Sequence, residues 1–580
     1  MNTNNYKINR FIITITLLCL LSLFMEYSLW ENMLIKRVNQ FIDITIYFLF
    51  LARLLLKFKS STYKSIYFKE NIFEIIAFIV LSIMILYYPY QIFIEKKIIN
   101  TIAVKIIILL AIFVGMKALT RIKKLNYFLK NLTTHPAKTI VLSFFAVILT
   151  GTTLLMLPFA TNDYTKLGFV NALFTATSAT CVTGLIVVDT ATKFSLFGKL
   201  IILALIQIGG LGIMILSYFA MFIMGRKLSI QEKLNVSYLL NEKDIANLSN
   251  IVKKIILFTF SIEIGGALLL YFCFHDTSKP EITPILFSIF HSISAFCNAG
   301  FSLFSNSLEN YTTTPSINLI IAGLIILGGL SFAVLLNISQ YINSLFKIKI
   351  LGKEEIQKKI TLNTKIVSFM TIILLLSGML LIYFFEHRTN LIQYPIGTQY
   401  LAAFFQSVTL RTAGFNTIDF TCLNTCTYLL MLLFMFIGGA SGSTAGGIKL
   451  NTVGVIYAYI KNMFSQKENV TLLKHSLAKN LVNQAFLIII LALVSIFFGV
   501  LILSITENKE LTQILFEVVS AFGTVGLTTG ITSQLSIPGK FTIISLMFIG
   551  RIGPLTIIAA FSQKKKSSQI KYPEAHINIG

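Results

Sequence analysis

Long apolar segments separated by short polar connections recur along the whole chain. Four of them come first, at residues 11–28, 41–56, 72–93 and 99–119. Eight more follow, at residues 139–157, 196–223, 255–274, 317–336, 366–385, 428–461, 485–505 and 541–561. A helix that crosses a bilayer needs roughly 20 mainly apolar residues, and these segments are of that order. The pattern therefore predicts twelve membrane-spanning helices and an all-α integral membrane protein.

Shorter apolar segments lie between the later spans. They cover residues 170–178, 284–296, 399–409 and 511–522. A helix rises about 1.5 Å per residue, so each of these segments is too short to cross the hydrocarbon region. We therefore interpret them as re-entrant helices, which enter the membrane and turn back.

Each short segment ends in a similar motif of small, polar and aromatic residues around one glycine. The motifs occupy residues 178–185 (SATCVTGL), 294–301 (SAFCNAGF), 408–415 (VTLRTAGF) and 520–527 (SAFGTVGL). Their shared glycines are Gly184, Gly300, Gly414 and Gly526, at intervals of 116, 114 and 112 residues. Such regular spacing indicates a fourfold internal repeat.

The four glycine motifs have the properties of a cation filter. Non-helical backbone at membrane depth is tolerated only where protein buries it or where it lines an aqueous cavity. Four such loops would surround a single axis, where a ring of backbone carbonyls can replace the hydration shell of an alkali cation. Glycine permits positive φ, and each loop follows the partially negative C-terminal end of its helix. The motifs therefore predict a cation pathway.

Close helix packing is the alternative explanation for any glycine in a membrane protein, because small residues serve that purpose throughout. The even spacing of four glycines, each after a short helix, favours loops. Packing is the preferred interpretation for three Gly pairs that follow the motifs, Gly209–Gly210, Gly328–Gly329 and Gly438–Gly439. The fourth repeat has Gly550–Arg551 at the matching position.

Composition and charge agree with a membrane protein and predict its orientation. Hydrophobic residues make up 55% of the 580 residues and charged residues 12%, and the net charge is +24. In a soluble protein that charge would suggest a nucleic-acid partner. Here the basic residues cluster in every second connection, at residues 53–69, 117–138, 226–254, 347–365 and 564–571. The positive-inside rule therefore predicts a multi-pass protein with both termini in the cytoplasm, and no nucleic-acid partner.

On its four motifs in register, the sequence resembles the Trk/Ktr/HKT superfamily of potassium transporters, most closely the KtrB and TrkH subunits of bacterial uptake systems. The resemblance covers residues 136–561. It implies four pseudo-symmetric, potassium-channel-like pore repeats, each an outer helix, a pore helix and an inner helix (M1-P-M2), in the bacterial cytoplasmic membrane. It also implies a homodimer gated by a cytoplasmic KtrA- or TrkA-type nucleotide-binding subunit. The chain itself would hold no cofactor, and the potassium ion would be its substrate.

The resemblance assigns the filter to the backbone of four short segments. Carried over position by position, they are Thr180, Cys181, Val182, Thr183 and Gly184; Cys297, Asn298, Ala299 and Gly300; Leu410, Arg411, Thr412, Ala413 and Gly414; and Thr524, Val525 and Gly526. Potassium would bind to the carbonyl groups of these residues.

A glycine-rich stretch interrupts the span at residues 428–461. Each glycine costs a helix about 1 kcal/mol, so the stretch cannot hold a continuous helix. It resembles the intramembrane gating loop of the family, with Gly438, Gly439, Ser441, Gly442, Ser443, Thr444, Gly446 and Gly447 as its gate residues. Arg551 lies at the matching depth of the last span, where we expect carbonyls of this loop as its partners. A loop outside the membrane and an arginine that reaches the surface are the alternatives.

The four leading spans depart from the family pattern. The boundaries predict a membrane domain at 1–135, pore repeats at 136–227, 228–348 and 349–463, and a fourth repeat with a cytoplasmic tail at 464–580. Four spans before a pore resemble a voltage sensor, but the fourth has no basic residue between Lys105 and Lys117. Sensing needs several charges in the field. We interpret the domain as a scaffold or regulatory addition, degenerate as a sensor.

Several polar residues near the motifs have weaker assignments. We expect Glu517 to support the filter loops by hydrogen bonds. Arg411 would either do the same or tune the electric field in the filter. For both residues, ordinary packing is the alternative. His291 is expected to be a hydrogen-bonded structural residue. Asp189 and Asp419 are more typical of solvated loops than of a cation-concentrating mouth. Cys422 and Cys426 leave both a disulfide and two free thiols open.

Other classes of function fit the sequence less well. It contains no phosphate-binding loop and no His-Glu-x-x-His metal motif, so we do not expect an enzyme or a pump. A two-half secondary transporter would repeat about every six spans. An anion or water channel would place the positive, N-terminal ends of short helices at the pore, which is opposite to the order of helix and then loop in this sequence. A sodium-preferring or sodium-coupled cation transporter of the same fold stays open as the alternative to potassium uptake.

Overall fold

The chain divides into two compact units, Met1–Thr134 and His135–Gly580. In this computed structural model the structure describes residues 136–561, except 164, 213–247, 276–283, 350–358, 419, 421–422 and 467–468, together with scattered helical positions between 18 and 58. The four leading spans therefore lie almost entirely outside the described residues. All helices with defined bounds belong to the second unit.

Four long helices form the outer part of the second unit. They are α1 (Pro136–Leu155), α5 (Leu248–His275), α9 (Leu362–Glu386) and α13 (Lys479–Thr506), and each contains a stretch long and apolar enough to cross a membrane. A third or less of each stretch is buried inside the protein. On α13, Ala485, Ala492 and Gly499 lie at seven-residue intervals on the buried stripe. Small residues there allow close packing, and the remaining apolar surface is suited to lipid.

A short, mostly buried helix follows each long helix. These helices are α2 (Phe169–Thr180), α6 (Pro284–Phe296), α10 (Ile396–Thr409) and α14 (Leu511–Gly523). They lie within three residues of the short segments predicted from the sequence. Each contributes at least one fully buried phenylalanine, and together they contribute Phe174, Phe290, Phe296, Phe405, Phe516 and Phe522. The core of the unit therefore sits around the short helices.

A second helix follows each short helix and its glycine loop. These are α4 (Leu196–Leu211), α7 (Pro315–Gly329), α11 (Thr425–Phe436) and α15 (Ile537–Ile552). Further helices are α3 (Thr190–Lys193), α8 (Phe332–Lys349), α12 (Leu450–Phe464) and α16 (Pro554–Phe561). Where the structure describes their bounds, 3-10 turns cover Pro158–Ala160, Glu309–Tyr311 and Thr532–Gln534. An antiparallel hairpin, β1 (Thr471–Leu472) and β2 (His475–Ser476), pairs Thr471 with Ser476.

Two of the predicted spans are bent. The predicted span 317–336 is α7 and α8, which meet at 104°, and the span 541–561 belongs to α15 and α16, which meet at 90°. The second bend lies at Gly553, which has φ 90°, just before Pro554. Proline lacks an N–H and disfavours helical backbone in the residue before it. Helix α4 likewise ends at Gly212, with φ 84°.

Glycines let the second helices touch the ends of the short helices. A Cβ atom added to Gly209, Gly328 or Gly550 would lie closer than 3.0 Å to the carbonyl oxygen of Thr180, Phe296 or Phe522, respectively. Real Cβ atoms do not approach that closely. The packing interpretation of Gly209 and Gly328 is thereby confirmed. Gly438 differs, because its Cβ position meets Gly446 O of its own loop.

We expect Gly328→Ala to destabilise the protein by about 1–3 kcal/mol, because the new methyl group would overlap Phe296 O. Gly323→Ala is the matched control in the same helix, since nothing lies within 4 Å of its Cβ position. Alanine favours a helix by up to about 1 kcal/mol over glycine, so the control should be neutral or stabilising. Thermal unfolding in detergent measures both, and equal melting temperatures would contradict the packing account.

Candidate ion pathway

The four motif glycines meet in a closed ring. The position where each would carry a Cβ faces the next loop: that of Gly184 lies 2.6 Å from Ala299 O, that of Gly300 lies 2.8 Å from Ala413 O, and that of Gly414 lies 2.6 Å from Val525 O. The Cβ position of Gly526 closes the ring, because it lies 3.0 Å from Gly184 Cα. We call these four residues the ring glycines. No side chain fits at any of them.

All four loops share an unusual backbone conformation. The ring glycines have φ values of 93°, 68°, 81° and 90° in chain order. Two residues before each glycine, φ is also positive, at 57° for Val182, 60° for Asn298, 71° for Thr412 and 51° for Thr524. Positive φ is costly for β-branched residues, and such strain persists only where the surroundings enforce it. Its appearance in all four loops shows that the loops have one common geometry.

The carbonyl groups that precede the ring glycines have no hydrogen-bond donor among the described residues. They belong to Thr183, Ala299, Ala413 and Val525, and each oxygen lies next to the glycine of a neighbouring loop. The predicted filter residues are all buried except Gly300, which is half-buried. Buried carbonyls are normally paired, so four unpaired ones at one ring are available to a ligand.

Serines in the short helices hold the loops. Ser178 and Ser520, six residues before their ring glycines, accept hydrogen bonds through Oγ from the backbone N–H of Gly184 (3.1 Å) and Gly526 (3.2 Å). Ser294, at the matching position of the second loop, donates from Oγ to Phe301 O at 2.7 Å. The third loop has Val408 there, so it lacks this anchor.

His291 and Glu517 occupy one further matching position, nine residues before the ring glycines. His291 is fully buried, with Nδ1 2.9 Å from Phe287 O and Nε2 3.1 Å from Ser302 Oγ. The Glu517 carboxylate accepts hydrogen bonds from the side chains of Thr528 and Thr532 and from the Thr529 N–H. Both side chains therefore tie a short helix to the chain beyond its loop, and the predicted hydrogen-bonding role of each is confirmed.

Several hydroxyl groups around the ring are buried and have no hydrogen-bond partner in the described part of the chain. They belong to Thr180, Thr183, Thr409, Thr412 and Thr524. Such groups are costly to bury unless something pairs with them. Together with the free carbonyls, they form a set of neutral oxygen atoms of the kind that binds hard monovalent cations.

The predicted interruption of the span 428–461 is confirmed, because residues 437–449 between α11 and α12 are not helical. The two ends of this 437–449 loop pair with each other, with Gly438 N donating to Ile448 O at 2.9 Å. Its middle rests on the end of α7, where Ala440 N donates to Gly329 O at 3.0 Å and Thr444 Oγ1 donates to Gly328 O at 2.8 Å.

The predicted gate residues differ in their burial along this loop. Gly438, Gly439, Thr444 and Gly446 are buried, whereas Ser441 and Gly442 are exposed and Ser443 and Gly447 are half-buried. A Cβ atom on Gly446 would overlap the Thr524 side chain, so the loop lies directly against the fourth filter segment. The gate residues and the ring therefore belong to one contiguous site.

Two cationic side chains bind carbonyl groups of the 437–449 loop. Arg551 donates through Nη1 to Thr444 O and through Nη2 to Gly209 O. Lys449 donates through Nζ to Ala445 O at 2.6 Å. The predicted bond between Arg551 and a loop carbonyl is confirmed. Gly209 O, on a different helix, is a partner that the sequence does not indicate.

Sequence reasoning does not single out two buried carboxylates in the long helices. Glu263 in α5 accepts from Gln207 Nε2 at 3.0 Å. Glu386 in α9 accepts from Thr427 and from the Asn424 N–H, and it thereby joins α9 to the start of α11. An acidic residue within or at the end of an apolar helix is itself a signal that could have identified them.

The remaining candidates are a carboxylate that caps a helix, a free thiol and two residues outside the described part of the chain. Asp189 caps α3 by accepting from Ala191 N at 2.8 Å, which is a structural role. Cys426 is a free, exposed thiol. Asp419 and Cys422 lie outside the described residues.

Comparisons with known proteins relate most of the chain to cation transporters. A family model described as TrkH, cation transport protein, matches residues 97–571. The chain is 40% identical over 450 residues to the Ktr system potassium uptake protein B of Bacillus subtilis, which covers 77% of this chain and 97% of that protein. It is 36% identical over 455 residues to the potassium/sodium uptake protein NtpJ of Enterococcus hirae, with 77% and 97% covered.

A solved structure shares the fold. The potassium transporter TrkH of Vibrio parahaemolyticus superposes with a TM-score of 0.60 at 18% identity, over 85% of this chain and 98% of that one. At this identity the likeness concerns the fold, which is an all-α membrane-transporter fold.

Proposed function

The chain belongs to the TrkH family of cation transport proteins, as its glycine motifs indicate, and from that premise we propose that it takes up potassium across the cytoplasmic membrane. The family is one of transporters and not of enzymes. The observation that carries the proposal is the closed ring of Gly184, Gly300, Gly414 and Gly526 with its unpaired carbonyls. A ring of carbonyls can replace the hydration shell of potassium.

We infer a four-unit pore from the order of the helices. In each unit a long helix such as α1, a short helix such as α2 and a second helix such as α4 would be M1, P and M2. The units would cover residues 136–227, 228–348, 349–463 and 464–580, after a membrane domain at 1–135. The matching positive φ values of the four loops support this pseudo-fourfold arrangement.

The filter would work by exchanging water for backbone oxygen. A potassium ion at the ring would contact Thr183 O, Ala299 O, Ala413 O and Val525 O, with threonine hydroxyls available on the adjacent positions. The short helices point their C-terminal, partially negative ends at the ring, which favours a cation. Potassium must bind weakly enough to be released again. Carbonyl and hydroxyl oxygens meet that condition because they are neutral, whereas a carboxylate would hold the ion more tightly.

The 437–449 loop would gate the pathway. Arg551, which belongs to the fourth unit, joins this loop of the third unit to Gly209 O in the first, so it links three units of the pore. As long as these bonds hold, the loop and a positive charge would stand beside the filter and oppose the passage of a cation. A cytoplasmic KtrA- or TrkA-type nucleotide-binding subunit would release the loop, and the protein would act as a homodimer. The family relation supports these two proposals.

We expect the chain to restore growth of a potassium-uptake-deficient bacterium on limiting potassium. Parallel cultures with and without added sodium test the sodium-coupled alternative, which is worth testing because one relative is named a potassium/sodium uptake protein. Equal growth in both media is expected for uncoupled potassium uptake. No growth despite membrane expression would contradict the proposed function.

Gly184→Ser and Gly414→Ser should weaken the preference for potassium over sodium, because any Cβ at the ring displaces a neighbouring carbonyl. Gly530→Ser is the matched control: it has the same φ of 93° as Gly184 but nothing within 4 Å of its Cβ position. Competition between rubidium and sodium in proteoliposomes measures the preference. An unaltered preference in both ring variants would contradict the filter assignment.

Arg551→Ala, or deletion of Gly442 to Thr444, should raise potassium flux in proteoliposomes without a partner subunit. The first change removes the donor that binds Thr444 O, and the second removes its acceptor. Lys540→Ala is the control in the same helix, because its Nζ contacts Asn171 instead (3.1 Å). Flux equal to that of the unmodified protein in both gate variants, with normal expression, would count against the gate.

A further inference from the structure

Arg411 is the one charged residue among the seventeen predicted filter residues. It lies three residues before the ring glycine of the third loop. The matching residues of the other loops are Cys181, Cys297 and Gly523, all of them uncharged. A Cβ on Gly523 would lie 2.6 Å from Met435 O, so no side chain fits in the fourth loop. The proposed filter therefore carries one positive charge on one side.

The Arg411 side chain is buried, and no group that the structure describes neutralises its charge. Only 3% of the residue is exposed, and Nε and Nη2 have no hydrogen-bond partner among the described residues. Nη2 lies 3.7 Å from the Cβ position of Gly329, so the guanidinium reaches from the third loop to the end of α7. No described carboxylate forms an ion pair with it.

An isolated buried charge acts strongly on its surroundings. The Coulomb energy between two charges is proportional to their product and grows as the effective dielectric constant falls. Salt screens exposed charges over about 10 Å but screens buried ones much less. A fixed positive charge in the filter wall therefore repels a divalent cation twice as strongly, in energy, as a monovalent cation at the same place.

We propose that Arg411 is a specificity-determining residue that excludes divalent cations from the filter, an inference that rests on the proposed function. Neutral carbonyl and hydroxyl oxygens bind Ba²⁺ as well as K⁺, since the two ions have similar radii. The oxygen ring alone would therefore hold the divalent ion more tightly and be blocked by it. The Arg411 charge reverses that order at the cost of a weaker potassium site. The exclusion of divalent ions gives a reason for a guanidinium at a place where no described carboxylate pairs with it.

The test is potassium flux in proteoliposomes with increasing Ba²⁺, for the full-length protein and for Arg411→Gln. The binding constant of an ion depends exponentially on its Coulomb energy with Arg411. Because that energy is twice as large for Ba²⁺ as for K⁺, the fold-change in the binding constant for Ba²⁺ should be the square of the fold-change for K⁺. If the variant lowers the apparent KM for potassium about threefold, it should lower the inhibition constant for Ba²⁺ about tenfold. The preference among K⁺, Rb⁺ and Na⁺, which carry the same charge, should change little.

Arg411→Lys and Lys193→Gln complete the design. Lysine keeps the charge but not the shape of the guanidinium, so Arg411→Lys should retain resistance to Ba²⁺. Lys193 is half-buried and paired with the exposed Asp163 at 3.0 Å, so removing its charge should change neither constant. If Arg411→Gln does not fold, Arg411→Lys decides alone, because loss of Ba²⁺ resistance in it would overturn the proposal.

Two results would contradict the inference while leaving the proposed function intact. In the first, Arg411→Gln changes the apparent KM for potassium and the inhibition constant for Ba²⁺ by the same factor. In the second, Arg411→Gln strongly changes the preference for K⁺ over Na⁺ but leaves the inhibition constant for Ba²⁺ unchanged. Either would make Arg411 a support of the loop geometry. Failure of the proposed function itself is distinguishable, because the unmodified protein would then carry no potassium at all.

Discussion

The approach of four backbone loops to within van der Waals contact is the constraint on which the site depends. At the ring glycines the next loop occupies the place of a Cβ atom, so only glycine is compatible with the closed ring. Positive φ at these residues and at Val182, Asn298, Thr412 and Thr524 follows from the same crowding. The short helices supply the scaffold that enforces this strain, and Gly209, Gly328 and Gly550 let the second helices close around them. The narrow ring is therefore possible because of two sets of glycines, the ring glycines themselves and those that let the second helices pack against the short helices.

The distribution of unpaired polar groups separates the ring from the 437–449 loop. Carbonyls at the ring have no donor among the described residues, whereas Thr444 O and Ala445 O of the loop accept from Arg551 and Lys449. In the proposed mechanism, potassium satisfies the first group and protein cations satisfy the second. A positive side chain beside the loop thus occupies the kind of environment that a permeating ion would otherwise use. Arg411 has a third environment, because no described carbonyl accepts from its Nε or Nη2 and no described carboxylate pairs with it.

The sequence was sufficient to predict the elements that depend on local or periodic signals. Hydrophobic length identified α1, α5, α9 and α13, and the spacing of the four glycines identified the loops that meet in the ring. The bends after α7 and α15 were missed because an apolar run looks the same whether the helix continues or turns. Gly553 and Pro554 gave a local signal for one of them. The bond from Arg551 to Gly209 O spans 342 positions in the chain, and no pattern in the sequence specifies such a pairing.

Direct observation of a bound ion tests the central claim most sharply. A crystal of the protein grown with Tl⁺, which substitutes for potassium and scatters anomalously, would locate the site without reliance on transport. The account predicts an anomalous peak inside the ring of Gly184, Gly300, Gly414 and Gly526, within coordination distance of the Thr183, Ala299, Ala413 and Val525 carbonyls. An ordered ring without Tl⁺, or a peak at carboxylates elsewhere with the ring empty, would contradict it.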